Sequence, residues 1–105
     1  INFFIKNKKK IFDKYSKIFK NSKNVYLMKD NKYQNSNYWL QTIIFKNPKV
    51  KNLFLKLTKK KNINLINCWE PLHIQKHLKK YSSDNLTNTL NLQKCILHLP
   101  SNFIK

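Results

Sequence analysis

Not one glycine occurs in this chain. Neither a G-x-x-x-x-G-K phosphate loop nor a G-x-G-x-x-G turn can be written, so the nucleotide-binding folds built on them are excluded. The chain also lacks Arg and Ala, while 22 of its 105 residues are Lys. Against them stand four acids, Asp13, Asp30, Glu70 and Asp84, and the net charge is +18. Four scattered carboxylates leave little for a paired acid–base site. One small domain over residues 1–105 is all that this length supports. With 41% apolar and 13% aromatic residues it is too hydrophobic for a disordered basic tail.

The charge admits two explanations. A lysine-rich RNA-binding protein, such as a divergent ribosomal protein, is one. Nucleic-acid surfaces, however, favour Arg for bidentate phosphate and guanine contacts, and there is none here. Lys, Asn, Ile, Phe and Tyr are in excess while Arg, Ala and Gly vanish together. That is the profile of a genome biased to A and T, with the lysines mostly on solvated helix faces. No apolar run reaches the ~18 residues of a membrane span. The opening Ile1–Ile5 precedes its lysines, the reverse of a signal peptide. Cys68 and Cys95 form no C-x-x-C pair. A reducing cytoplasm is the expected setting.

Periodicity divides the chain. Ile11, Phe12, Tyr15, Ile18 and Phe19 recur at helical spacing, within a helix expected over 3–19. Val25–Met28 reads as a short strand, and Tyr38–Phe45 as the strongest strand. After Asn47-Pro48, the residues Val50, Leu53, Phe54 and Leu57 predict a second helix to about Lys60. Ile63–Trp69 is a third strand, ended by Pro71. His73–Tyr81 is a short helix or turn. Ser82–Asn85 is a loop with N-cap residues, and Leu86, Leu90, Leu92 and Cys95 predict a last helix. Leu97–Ser101 closes the chain. The expectation is a small α+β domain with three strands and helices on one face. The long first helix has apolar residues on more than one side, as if to pack on something outside this chain.

Three segments carry a resemblance: Ser36–Ile44 (SNYWLQTII), Asn67–Gln75 (NCWEPLHIQ) and Ile96–Asn102 (ILHLPSN). In this order and spacing they resemble the C-terminal part of the DegT/DnrJ/EryC1/StrS aminotransferases. The branch acting on nucleotide-linked amino sugars, of the legionaminic acid or perosamine type, is the most similar. Lys8–Tyr15 fits that family's long helix joining two domains. The resemblance implies the small C-terminal domain of a fold-type I aminotransferase, with a three-stranded, mainly antiparallel sheet and residues 1–21 as the interdomain helix. It implies a homodimer that moves an amino group from glutamate to a keto sugar on a nucleotide. Pyridoxal phosphate (PLP) would be held by a lysine of a large domain absent from this chain, so no catalytic residue is assigned here.

The resemblance also points to site residues. His73 stands at the family's recurring His, where it would line the active-site mouth; its plainer role is to fix a turn. Trp69 would flank the sugar nucleotide, since aromatic faces stack on bases and sugars, or would anchor the core. Asn37 and Tyr38 open the strong strand, beside the expected catalytic cleft. Trp39 reads as core. Ser101 and Asn102 read as an N-cap. Two positions depart from the family. Asn62 replaces a turn Gly, and Asn can adopt φ > 0 there. Ile66 replaces an Arg; if that Arg holds a substrate anion, its loss costs roughly 1.5–3 kcal/mol. Finally, Cys68, His73, His77, Cys95 and His98 match no zinc spacing, so no metal is expected.

Overall fold

The computed structural model describes residues 1–102. The last three residues of the expected domain, 103–105, lie outside the described residues. Eight elements follow one another. They are α1 (Asn2–Phe19), β1 (Val25–Leu27), β2 (Gln41–Phe45), α2 (Pro48–Lys60), β3 (Ile66–Asn67), a 3-10 turn (Leu72–Ile74), α3 (Thr87–Gln93) and β4 (Ile96–Leu99). The strands form one antiparallel sheet in the order β1-β2-β4-β3.

The sheet follows from the period-two pattern of β2. Gln41, Ile43 and Phe45 point inward and are buried, while Thr42 and Ile44 between them are half-buried on the other face. Ile43 lies opposite Leu27 on one side and Leu97 on the other. Together with Phe45 and Leu99 these residues make the core. Ile43 and Leu97 are wholly buried, each stabilising the fold by about 2 kcal/mol. Phe12, Tyr15 and Phe19 of α1 cover this core, as do Val50, Phe54 and Leu55 of α2. Both helices therefore lie on one face of the sheet, as the sequence implies.

Local chemistry sets the boundaries. Asn47 caps α2, its Oδ1 accepting from the Val50 N–H at 3.0 Å, and Pro48 opens the helix where its missing N–H costs nothing. Beyond the end of α2, Asn62 adopts φ 56°, the left-handed turn that a Gly would otherwise make. At the start of α3, Asn85 Oδ1 accepts from the backbone N–H and the hydroxyl of Thr87.

The expectation of three strands is corrected to four. Ile96–Leu99 forms β4, between β2 and β3. Its alternation is only four residues long and is cut off by Pro100, so it reads as a chain end until Leu97 is seen to face Ile43. Two strands are also shorter than expected. Tyr38 has φ 55°, which no strand tolerates, so pairing begins at Gln41. Of Ile63–Trp69 only Ile66–Asn67 pairs, at the sheet edge.

Candidate functional site

The face of the sheet away from the helices is open, and the segment between β1 and β2 rises beside it. Without Gly, that segment turns by side-chain capture of its own backbone. Asp30 Oδ2 accepts from the Ser36 N–H at 2.7 Å, and Asn31 Oδ1 from that of Tyr33 at 2.9 Å. Ser36 Oγ accepts from the Tyr38 N–H at 2.9 Å, and Asn37 Oδ1 from that of Trp39 at 3.0 Å. The last three, each two residues on, are Asx and Ser turns, the polar residue's substitute for a glycine bend, and the Asp30 bond closes the wider loop. They enclose a cleft of about 470 Å³ lined by Met28, Asp30, Ser36, Asn37, Trp39 and Thr42 among others.

The strained Tyr38 sends two neighbouring rings to opposite sides. Tyr38 itself is half-buried against Phe12 of α1, with ring centres 5.1 Å apart. Trp39 turns outward, is 64% exposed, and walls the cleft. Its ring meets Trp69 at 6.3 Å, and Trp69 covers His98 at 5.8 Å. The expected core placement of Trp39, and the core reading of Trp69, are thus corrected: both indoles are mostly exposed. The cause is again register. With Gln41 facing inward, Trp39 would face inward too in a continued strand, but the left-handed Tyr38 rotates it out.

Beneath the tryptophans, Thr42 Oγ1 and His98 Nδ1 are 3.1 Å apart across the β2–β4 pair. His98 is buried, and its Nε2 has no hydrogen-bond partner among the described residues. Burial holds its pKa below the usual imidazole value. Ile66 is paired with His98 and so stands on the same open face, exposed.

Of the residues expected at a site, Asn37 lines the cleft and Trp69 meets its wall at a tilt of 38°. Tyr38 borders it in sequence but packs toward α1. His73 lies apart on the 3-10 turn, half-buried, with no hydrogen-bond partner for its Nε2 among the described residues, and is not among the cleft residues. Asp30, Thr42 and His98 are additions. The alternation in Gln41–Phe45 already places Thr42 opposite the core; His98 needed β4 to be recognised as a strand. Ser101 is no N-cap. Its carbonyl and hydroxyl both accept from Lys8 Nζ, and its hydroxyl donates to the Trp39 carbonyl at 3.1 Å.

PLP needs a lysine amine, a carboxylate for its ring nitrogen and a phosphate cradle within one pocket. The described residues do not fit it. Lys51 is the one buried lysine among them. Burial lowers its pKa, a shift that the nearby Cys68 and Cys95 thiols oppose. All four carboxylates are exposed, and the cleft that holds Asp30 does not include Lys51. Nor do three or more His, Cys, Asp or Glu side chains gather as metal ligands among the described residues. No helix among them is long and apolar enough to cross a membrane.

No curated protein matches the chain in sequence. Solved structures match its fold. An aminotransferase, TlmJ, from Streptoalloteichus hindustanus superposes with a TM-score of 0.83 over 96% of this chain and 27% of its own, at 13% identity. A DegT DnrJ EryC1 StrS aminotransferase from Brucella abortus gives 0.78 over 93% and 26%, at 21% identity. Helicobacter pylori PseC, an aminotransferase involved in the biosynthesis of pseudoaminic acid, gives 0.78 over 94% and 28%, at 18% identity. The chain thus spans about a quarter of the length of each. The model of the DegT/DnrJ/EryC1/StrS aminotransferase family matches residues 1–103, and with that match this four-stranded α+β chain belongs to the DegT/DnrJ/EryC1/StrS aminotransferase family.

Proposed function

We propose that this chain is the C-terminal domain of a PLP-dependent aminotransferase that moves an amino group from glutamate to a keto sugar on a nucleotide. In this reading α1 joins it to a large domain that holds the cofactor, and the enzyme works as a cytoplasmic homodimer. The product is an amino sugar for cell-surface polysaccharide, of the legionaminic acid or perosamine type. The observation that carries the reading is the family match along residues 1–103. The PseC likeness, to a protein of pseudoaminic acid biosynthesis, supports the sugar class.

The chemistry of the cleft fits such a substrate. A sugar offers hydroxyls on its rim and an apolar face of C–H groups. Asn37, Ser36, Asp30 and Thr42 can hydrogen-bond the first, and Trp39 can cover the second. Trp69, beside Trp39, extends that aromatic surface toward a base. With Ile66 in place of an Arg, the open face offers no bidentate anion clamp there, so the substrate is held by aromatic contact and hydrogen bonds, with Lys29 a point charge at the cleft. The role of His73 in this reading is to line the active-site mouth from the 3-10 turn.

The test is to express the complete reading frame that contains this chain and assay it with PLP, glutamate and a nucleotide-linked 4-keto sugar. The expected result is 2-oxoglutarate and the amino sugar in equal amounts. The 105-residue stretch alone is expected to bind no PLP and transfer nothing. A full-length protein that takes up PLP but aminates no nucleotide sugar would overturn the substrate class.

A further inference from the structure

Charge in this fold is sorted by face. Phe12, Tyr15 and Phe19 of α1 point to the sheet. At 3.6 residues per turn, positions 6, 10, 14 and 17 lie on the opposite side of the helix. Lys6, Lys10, Lys14 and Lys17 stand there, all exposed, in a row about 16 Å long. The second helix repeats the arrangement, with Val50 and Phe54 inward and Lys49, Lys56 and Lys60 outward. Asp13 is the only acid on either helix. The open face of the sheet differs: its strand positions hold Tyr26, Thr42, Ile44, Ile66, Ile96 and His98, and no lysine.

We propose that the outward face of α1 and α2 is a docking surface for single-stranded RNA, gripped through its phosphates without reading its sequence. Charge complementarity carries the choice of a polyanion. Lysine acts as a mobile point charge on phosphate, and without Arg the bidentate reading of guanine is absent. Phe3, 68% exposed, lies on the same side of α1 at the head of the lysine row, where a base can stack. An anionic bilayer fits less well. An interfacial helix binds by burying a continuous apolar face, and the main stripe of α1, Phe12, Tyr15 and Phe19, is spent on the sheet core, leaving only Phe3, Phe4 and Ile18 exposed toward its two ends. This surface is separate from the cleft, and the proposal stands whether or not the chain serves a sugar aminotransferase.

Binding of the whole chain to fluorescent oligouridylate and oligoadenylate of about 20 nucleotides tests it. Eight outward lysines (those above and Lys59) predict an affinity that falls about 10³-fold between ~50 and ~200 mM salt, alike for both sequences. The quadruple change Lys6→Gln, Lys10→Gln, Lys14→Gln and Lys17→Gln is expected to flatten the log–log salt slope by about 3. A control that removes the same charge from loops (Lys32→Gln, Lys76→Gln, Lys79→Gln, Lys80→Gln) is expected to change it far less. Should the first variant lose helicity by circular dichroism, protection of lysines from acetylation in the unsubstituted chain decides. RNA should shield Lys6, Lys10, Lys14 and Lys17 before Lys76 and Lys79. Equal losses in both variants, uniform shielding, a flat salt response, or binding to phosphatidylserine vesicles that RNA does not compete would each overturn the proposal.

Discussion

Lys8, on the first helix, holds Ser101, the residue two places beyond the last strand. Its ammonium donates to the Ser101 hydroxyl at 3.0 Å and also to the Ser101 carbonyl. Two turns away on the inner side of α1, the Tyr15 hydroxyl donates to the Pro100 carbonyl at 2.7 Å. On the far side, the Ser101 hydroxyl reaches the Trp39 carbonyl, and the Gln41 amide donates to the carbonyls of Lys8 and Tyr38. The first helix, the cleft wall and the end of the sheet are therefore tied at one knot. Unlike the exposed lysines of the outward row, Lys8 is half-buried and structural.

Cutting the knot has a measurable cost. Lys8→Met keeps the stem and removes three donors; it is expected to destabilise the fold by about 1–2 kcal/mol, since hydrogen bonds from charged groups contribute about 1.5–3 and partial exposure reduces that. Tyr15→Phe leaves the Pro100 carbonyl short of a donor and should cost about 1 kcal/mol. Urea unfolding at constant m-value measures both. Because both mutations act on one knot, the double mutant should lose less than the sum. Full additivity would show that the two contacts are independent.

The buried His98 makes stability depend on acid. Thr42, Ile66 and Trp69 surround it, none of them ionisable, and burial alone lowers its pKa from 6.5. A group whose folded pKa is depressed contributes stability that is present above its unfolded pKa. The stability is then lost as pH falls through the folded pKa, because the unfolded chain takes up the proton first. The urea midpoint is accordingly expected to fall below about pH 6.5. His98→Asn keeps a donor toward Thr42 without a titrating ring, and should remove most of that slope. An unchanged slope in His98→Asn would assign the acid sensitivity elsewhere.

Glycine-free turns give a third expectation. Asn62 and Tyr38 both have positive φ, 56° and 55°. Asn62→Ala places a Cβ-bearing residue without a compensating amide in that region and should cost about 1 kcal/mol. Asn62→Gly should be neutral or stabilising by a few tenths, relief of the turn being offset by greater unfolded-state freedom. Tyr38→Gly should behave oppositely, destabilising by 1 kcal/mol or more in spite of the same φ, because it removes the ring packed on Phe12. Thermal midpoints compare the three.

What the sequence made legible was whatever repeats. Phe12, Tyr15 and Phe19 announce α1, and Val50 and Phe54 announce α2, because a helix buries one stripe over many residues. Asn62 was legible because only a few residue types take that turn. The last strand was not. Its four residues, Ile96–Leu99, owe their place to Ile43 and Ile66 on the neighbouring strands, and no local signal states such pairing. The cleft was legible by halves. Asn37 and Trp69 stand out by type, but the outward turn of Trp39 depends on the backbone of Tyr38, and the link from Thr42 to His98 spans 56 positions. Site chemistry that rests on register is invisible until register is known.

The exposed indole pair carries the last prediction. Trp39 and Trp69 stand 6.3 Å apart and hold large apolar area in water, which only a ligand or partner surface would relieve. In the complete enzyme, Trp39→Ala is expected to raise KM for the nucleotide sugar about two- to tenfold, the span of an aromatic contact of 0.5–1.5 kcal/mol. The turnover number should change little, because Trp39 lies on the binding wall and touches no reacting group in this reading. Trp69→Ala should show a similar effect, and the double mutant should fall short of the product of the two, since each ring positions the other. A loss confined to turnover, with KM unchanged, would remove the indole pair from the binding surface.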